Sequence, residues 1–185
     1  MTASERKDMI GPTLVLFLIC LVITGALAIT YQVTKPLIDE INIKNANLAR
    51  GEVLPDAEGS FTEIDAEMLP GITEIYNANN ETGYVFTAID KGFGGEVIVM
   101  TGIDENGEIT GVKVTSHSET PGLGTKAMTV DYLSQYRGQV SITRTNESDK
   151  VQIDAVTGAT VSSEAIFRAV DTSLSQYEKI GGGKQ

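Results

Sequence analysis

Hydrophobic and polar positions divide this chain into three stretches with different periods. Residues 10 to 31, from Ile10 to Tyr31, contain no charged side chain. A helix of that length spans about 33 Å, enough to cross the hydrocarbon core of a bilayer. Beyond it, Ile38, Ile41 and Leu48 form a loose helical stripe that runs to about Arg50. Pro36 suits the first position of such a helix, so a linker helix is expected over 32–50, separate from the apolar span. Pro55-Asp-Ala-Glu-Gly59 ends it.

The middle of the chain changes to short runs rich in β-branched and aromatic residues, separated by turn residues. Strands are expected at Ile72–Tyr76, Tyr84–Ile89, Glu96–Ile103 and Ile109–Ser116. The last two flank Glu105-Asn106-Gly107, a hairpin signal. Met128, Tyr132 and Tyr136 suggest a short helix, and Val140–Thr143 and Val151–Val156 two further strands. Ile166, Val170, Leu174 and Tyr177 then recur at helical spacing. The pattern predicts an α+β protein. It has one N-terminal transmembrane helix, then a single domain over 51–180 with a mainly antiparallel sheet and flanking helices. Residues 181–185, glycine-rich, should form a flexible tail.

The apolar span is too long for a cleavable signal, and only Ala26 and Ala28 resemble a cleavage site. An uncleaved single-pass anchor is expected. Arg6 and Lys7 precede the span and Lys35 follows it. The positive-inside rule therefore puts residues 1–9 in the cytoplasm and residues 36–185 outside the cell membrane.

Charge and cysteine content narrow the chemistry. The chain carries a formal net charge of −11. Without the three cations and two anions of residues 1–35, 11 cations and 23 anions remain, a net −12. An acidic domain repels nucleic acid and anionic lipid, so neither is an expected partner. The one cysteine, Cys20, lies in mid-span, and His117 is the one histidine. Disulfides, cysteine-ligated clusters and multi-histidine metal sites are thereby excluded from the outer domain of this chain.

Two segments hold candidate chemistry. In Asp154-Ala-Val-Thr-Gly-Ala-Thr160, a small-residue turn presents the hydroxyls of Thr157 and Thr160 just ahead of a helix. Gly158 and Ala159 let a large group approach the backbone, and Val161 follows at the helix start. Ser162, Ser163 and Glu164 offer N-cap and first-turn chemistry. Free N–H groups at such a helix start favour a phosphate. A plain capped turn has the same pattern. The second segment is His117-Ser-Glu119-Thr120-Pro121-Gly122-Leu123-Gly124. Pro121 stiffens this loop and Gly122 and Gly124 permit unusual angles, which would hold Leu123 out as an apolar knob beside Glu119 and Thr120. That suits one face of a flat ring, and equally a structural turn.

Taken together, Glu-Thr-Pro-Gly-Leu-Gly upstream of Thr-Gly-Ala-Thr resembles the paired signature of one flavoprotein family. The family comprises the FMN-binding domains of the Rnf and Na+-translocating NADH:quinone reductase complexes. Gly83-Tyr-Val-Phe86, Gly92-Phe-Gly-Gly95, the Leu-Pro-Asp segment from Leu54 and Thr34-Lys-Pro36 also resemble it, so the likeness runs from the anchor to about Val170. Thr157 stands where serine is commoner, and Phe93 where tyrosine is frequent. Compactness favours the G subunit of Rnf over the usually longer C subunit of the quinone reductase.

The resemblance implies FMN joined to Thr160 through a phosphoester, with no catalytic residue and no metal ligand in this chain. Thr157, Gly158, Ala159, Val161 and the loop Glu119–Gly124 would then surround the cofactor. It implies electron relay within a complex that couples ferredoxin:NAD oxidoreduction to movement of Na+ or H+. Its partners would be the other membrane subunits and, for maturation, a flavin transferase that uses FAD. Asp154 either orients the motif or a metal during that transfer, or ends a strand. The alternatives are the C subunit of the quinone reductase, a stand-alone extracellular flavin domain, and a non-redox surface interaction domain.

Overall fold

A computed structural model describes residues 3–145, 147 and 150–181, with backbone alone for residues 3–10. The expected tail therefore lies, from residue 182 on, outside the described residues. The Arg6 and Lys7 side chains behind the orientation argument also lie outside them.

The chain divides after Asn45 into two units. The first is one helix, whose stretch from Gly11 is long and apolar enough to cross a membrane (mean hydropathy 2.6). Leu16, Phe17, Leu27 and Ile29 are all more than 60% exposed, as expected of side chains meant for lipid rather than for a protein core.

No second helix begins at Pro36. A single helix, α1, runs over Ala3–Val53 with Pro12 and Pro36 inside it. A proline removes one N–H from the ladder, and the helix continues on both sides of each. Just before Pro36, the hydroxyls of Thr30 and Thr34 donate back to the carbonyls of Ala26 (2.9 Å) and Thr30 (2.8 Å).

The second unit starts at Ala46 and holds a five-stranded antiparallel sheet in sequential order. Its strands are β1 (Phe61–Glu63), β2 (Ile72–Ala78), β3 (Gly83–Lys91), β4 (Glu96–Asp104) and β5 (Ile109–His117). The sequence pattern contains the last four and misses β1, which has three residues and no buried one. At the β4–β5 turn, the Asp104 carboxylate accepts from the N–H groups of Asn106 (2.9 Å) and Glu108 (2.8 Å). The expected hairpin thus forms on an aspartate turn.

The sheet is covered on both faces. On one, Phe86, Val97, Val99, Ile103 and Ile109 pack in one buried cluster with Ala165, Ile166, Ala169 and Val170 of helix α3 (Thr160–Lys179). On the other, Val85, Ala78 and Met100 meet Ala49, Val53 and Leu54, at the end of α1. Gly102 has no room for a Cβ against the Val53 backbone and Gly111 has little, so the helix end lies directly on strands β4 and β5. Arg50 fixes the same end. It is 5% exposed, stands 3.5 Å over the Tyr76 ring and donates to Asn47 (2.7 Å).

Between β5 and α3 the chain is mostly irregular. The expected helix at 128–136 is split into a 3₁₀ turn over Gly124–Met128 and α2 (Val130–Ser134). The two strands expected after it shrink to a parallel pair, β6 (Ile142–Thr143) and β7 (Val151–Gln152). Val140 and Val151 are both exposed, so these apolar residues do not continue a buried strand.

Candidate functional site

The site is built at the N-terminus of α3. Gly158 has φ +82°, a left-handed conformation that glycine adopts without strain. It closes a tight turn in which the Ala159 N–H donates to the Val156 carbonyl (2.9 Å). The helix begins at Thr160, and Ala159 gives it no side-chain cap. The sequence places Ser162 and Ser163 at the cap. In the structure both are buried in the first turn and do other work. The Ser163 hydroxyl accepts from the Val156 N–H (3.1 Å), bracing the turn from behind. The Ser162 hydroxyl donates to Glu119 (2.8 Å). Thr160 is left exposed on an uncapped helix end.

Glu119 comes from the loop after β5 and is 5% exposed. Its second oxygen accepts from the Gly94 N–H (3.0 Å) in the turn between β3 and β4. One carboxylate therefore joins three segments. Neither Gly92 nor Gly124 could carry a Cβ beside it without a clash. Glu119 lines the cleft, where the expectation puts it, and its two oxygens also bond to the protein and hold the walls together.

The loop itself is a turn with Pro121 at its second position and Gly122, φ +76°, at its third. The Leu123 N–H donates to the Thr120 carbonyl (3.2 Å), and the Gly122 N–H to the Thr125 hydroxyl (2.9 Å). Proline followed by a left-handed glycine is the type II pattern. It leaves Leu123 projecting, 56% exposed.

These pieces enclose a cleft of about 340 Å3, lined by Leu123, Thr120, Glu119 and Gly124 on one side and Gly158–Ser162 on the other. Phe93 completes the lining. Thr157, Pro121 and Gly122 are exposed and lie outside it. Asp154 is also outside, with its N–H donated to Gln135 (3.2 Å). Sequence reasoning names Phe93 only as part of a resembling turn and Ser162 only as a cap, and assigns neither to the site. A large aromatic set alone in Gly92-Phe-Gly-Gly95 is the signal that could have found the first. No local signal marks the second, which reads as a cap.

The cleft fits a cofactor with a flat apolar ring and an anionic end. Its volume lies in the range of small-molecule sites. Phe93, Leu123 and Val161 offer apolar surface, and Thr160 offers a free hydroxyl where a helix dipole favours phosphate. No histidine or lysine lines it. The cleft therefore has the makings of a binding site, and the one carboxylate in its lining, Glu119, is hydrogen-bonded to Ser162 and Gly94.

Comparison with known proteins agrees with this geometry. The FMN-binding domain family matches residues 92–175, which include both walls of the cleft. The G subunit of the Na(+)-translocating ferredoxin:NAD(+) oxidoreductase complex of Acetobacterium woodii is 36% identical, over 90% of each chain. This chain belongs to the G-subunit family of ion-translocating oxidoreductase complexes. The resemblance read from the paired motifs is borne out, and with it the choice of the G subunit. A second G subunit, from the proton-translocating complex of Clostridium ljungdahlii, is 26% identical over 97% of each chain. Among solved structures, the C subunit of the Na(+)-translocating NADH-quinone reductase from Parabacteroides distasonis aligns at TM-score 0.48 and 19% identity. That alignment covers 58% of this chain and 60% of the other.

Proposed function

We propose that this chain is the membrane-anchored flavoprotein subunit of an Rnf-type complex, in which it relays electrons between ferredoxin and NAD while other subunits move Na+ or H+. The observation that carries the reading is an exposed threonine on an uncapped helix end, inside an apolar cleft. Bound FMN would supply one- and two-electron transfer, and the chain would supply binding, orientation and exclusion of water.

Thr160 holds the cofactor through a phosphoester. A flavin transferase catalyses its formation: the Thr160 Oγ bonds to the flavin-side phosphorus of FAD, the P–O–P bond breaks, and AMP leaves as the hydroxyl proton departs. The N–H groups of the first turn of α3 would hold the phosphate, and Leu123 and Val161 would keep water from the ring. The Thr120 hydroxyl, in the cleft lining, would be available as a donor to a ring heteroatom. The span over residues 10–31 anchors the chain in the cell membrane, with residues 36–185 on the outer side. Attachment there prevents loss of the cofactor to the medium.

Full-length protein co-expressed with a flavin transferase tests the attachment. The band on a denaturing gel should fluoresce. The tryptic peptide Val151–Arg168 should carry FMN less water, with fragment ions placing it on Thr160. Thr160→Ala should abolish the label, and Thr157→Ala should retain part of it. Full labelling of the Thr160→Ala protein would exclude the assignment. Co-purification with polytopic subunits tests the complex, and isolation of the chain alone from native membranes would favour a stand-alone carrier.

A further inference from the structure

Phe93 is a wall of the cleft that the mechanism above leaves unused. It is 79% exposed, among the most exposed large apolar side chains of the folded unit. Ordinary surface phenylalanines lie scattered, but this one lines a concave site together with two other exposed apolar residues, Leu123 (56%) and Val161 (49%). Its position is fixed from below. In the turn after β3, the Gly92 N–H donates to the Gly95 carbonyl (2.8 Å), and the Gly94 N–H is held by buried Glu119. Gly94 also lies too close to the Ser118 backbone to carry a side chain. A turn clamped on both sides of Phe93 presents its ring without help from neighbouring side chains.

From this we infer that Phe93 is a ring-contact residue for the bound flavin, an aromatic wall that packs on the isoalloxazine and is aimed by Glu119. The inference rests on the reading of the cleft as the FMN site. Aromatic rings stack favourably on flat conjugated systems, and an exposed aromatic in a cleft gains by being covered. The alternative occupant of the ring's surface is a neighbouring subunit, in which case Phe93 would point away from the cofactor.

The absence of tryptophan in this chain gives a clean test. Indole in contact with a photoexcited flavin quenches its emission by electron transfer, whereas an aliphatic side chain does not. Full-length flavinylated Phe93→Trp, purified in detergent, should emit severalfold less per bound flavin than the wild type. Phe93→Leu should not be quenched, and Val140→Trp, outside the cleft lining, should match the wild type. All variants should stay labelled on Thr160, and heat should restore Phe93→Trp emission as the cleft opens. A labelled Phe93→Trp protein with wild-type emission overturns this inference and leaves the cofactor reading intact. A wild-type chain that takes no label at all overturns both.

Discussion

The Ser162 hydroxyl donates a 2.8 Å hydrogen bond to the carboxylate of Glu119, 43 residues away, and both side chains are buried. This contact joins the first turn of α3 to the loop that carries Leu123. Through the other Glu119 oxygen it reaches the turn that carries Phe93. The walls of the cleft are therefore one hydrogen-bonded unit, although no two of them are adjacent in sequence.

Removing the carboxylate should loosen that unit. Glu119→Ala leaves the Ser162 hydroxyl and the Gly94 N–H without their acceptor, at a cost of about 1–3 kcal/mol. Urea unfolding should show the loss as a lower midpoint. Glu119→Gln should recover most of it, because the amide oxygen can accept from Gly94 while the amide nitrogen donates to Ser162. Equal losses in the two variants would mean that the negative charge, rather than the bonding pattern, matters.

Two glycines of the same loop should respond differently to alanine. A Cβ on Gly124 meets the Glu119 carboxylate and the Ser162 hydroxyl, whereas one on Gly122 meets nothing within 4 Å. Gly124→Ala should break the Glu119–Ser162 contact and cost about 1–3 kcal/mol, as overpacking does. Gly122→Ala bears backbone strain alone, about 1 kcal/mol for a left-handed residue. Thermal melts of the two full-length variants compare them directly; a larger loss for Gly122→Ala would contradict the crowding at Gly124.

Alkaline stability should depend on Tyr136. Burial pushes its phenol well above the ordinary tyrosine range, neighbouring Tyr132 adds to the shift, and Arg144 opposes it. Below about pH 10 the phenol is protonated in both folded and unfolded chains, so its contribution is constant. Above that, the unfolded chain ionises while the folded chain does not, and stability falls by about 1.4 kcal/mol per pH unit. Tyr136→Phe should flatten this alkaline limb in denaturant titrations between pH 9 and 11 (about one unit either side of the ordinary value). Tyr177 and Tyr76, both raised chiefly by desolvation, should leave a residual slope. An unchanged slope in the variant would assign the alkaline loss to those other groups.

Topology has a direct check. With residues 36–185 outside, protease added to intact spheroplasts should remove the acidic domain and leave a short anchored stub. A tag on Gln185 should react with an impermeant reagent, and one beside Met1 should not. Reaction of the Gln185 tag only after lysis would reverse the orientation and exclude an outward-facing relay.

The sequence by itself determined the elements whose signal is local. An uncharged run over residues 10–31 can only be buried in apolar surroundings. The alternation in β2 to β5 and the 3.6-residue period of α3 each follow from one face meeting a core. The two loop motifs also announced themselves, because glycine and proline restrict the backbone wherever they occur. Pro36 shows the limit of such signals: the helix passes through it, since one lost hydrogen bond is small beside the turns on either side.

The tertiary structure decided what the polar residues do. Ser162 and Ser163 have the composition of a cap, yet burial turned their hydroxyls inward, to Glu119 and to the Val156 N–H. Glu119 read as a ligand contact, and the structure adds that it ties three segments together. Phe93 gained its place in the cleft only when the β3–β4 turn was brought against the loop after β5. These assignments depend on which distant backbone supplies the acceptor or fills the space. A buried carboxylate must find donors somewhere, and the local sequence does not say where.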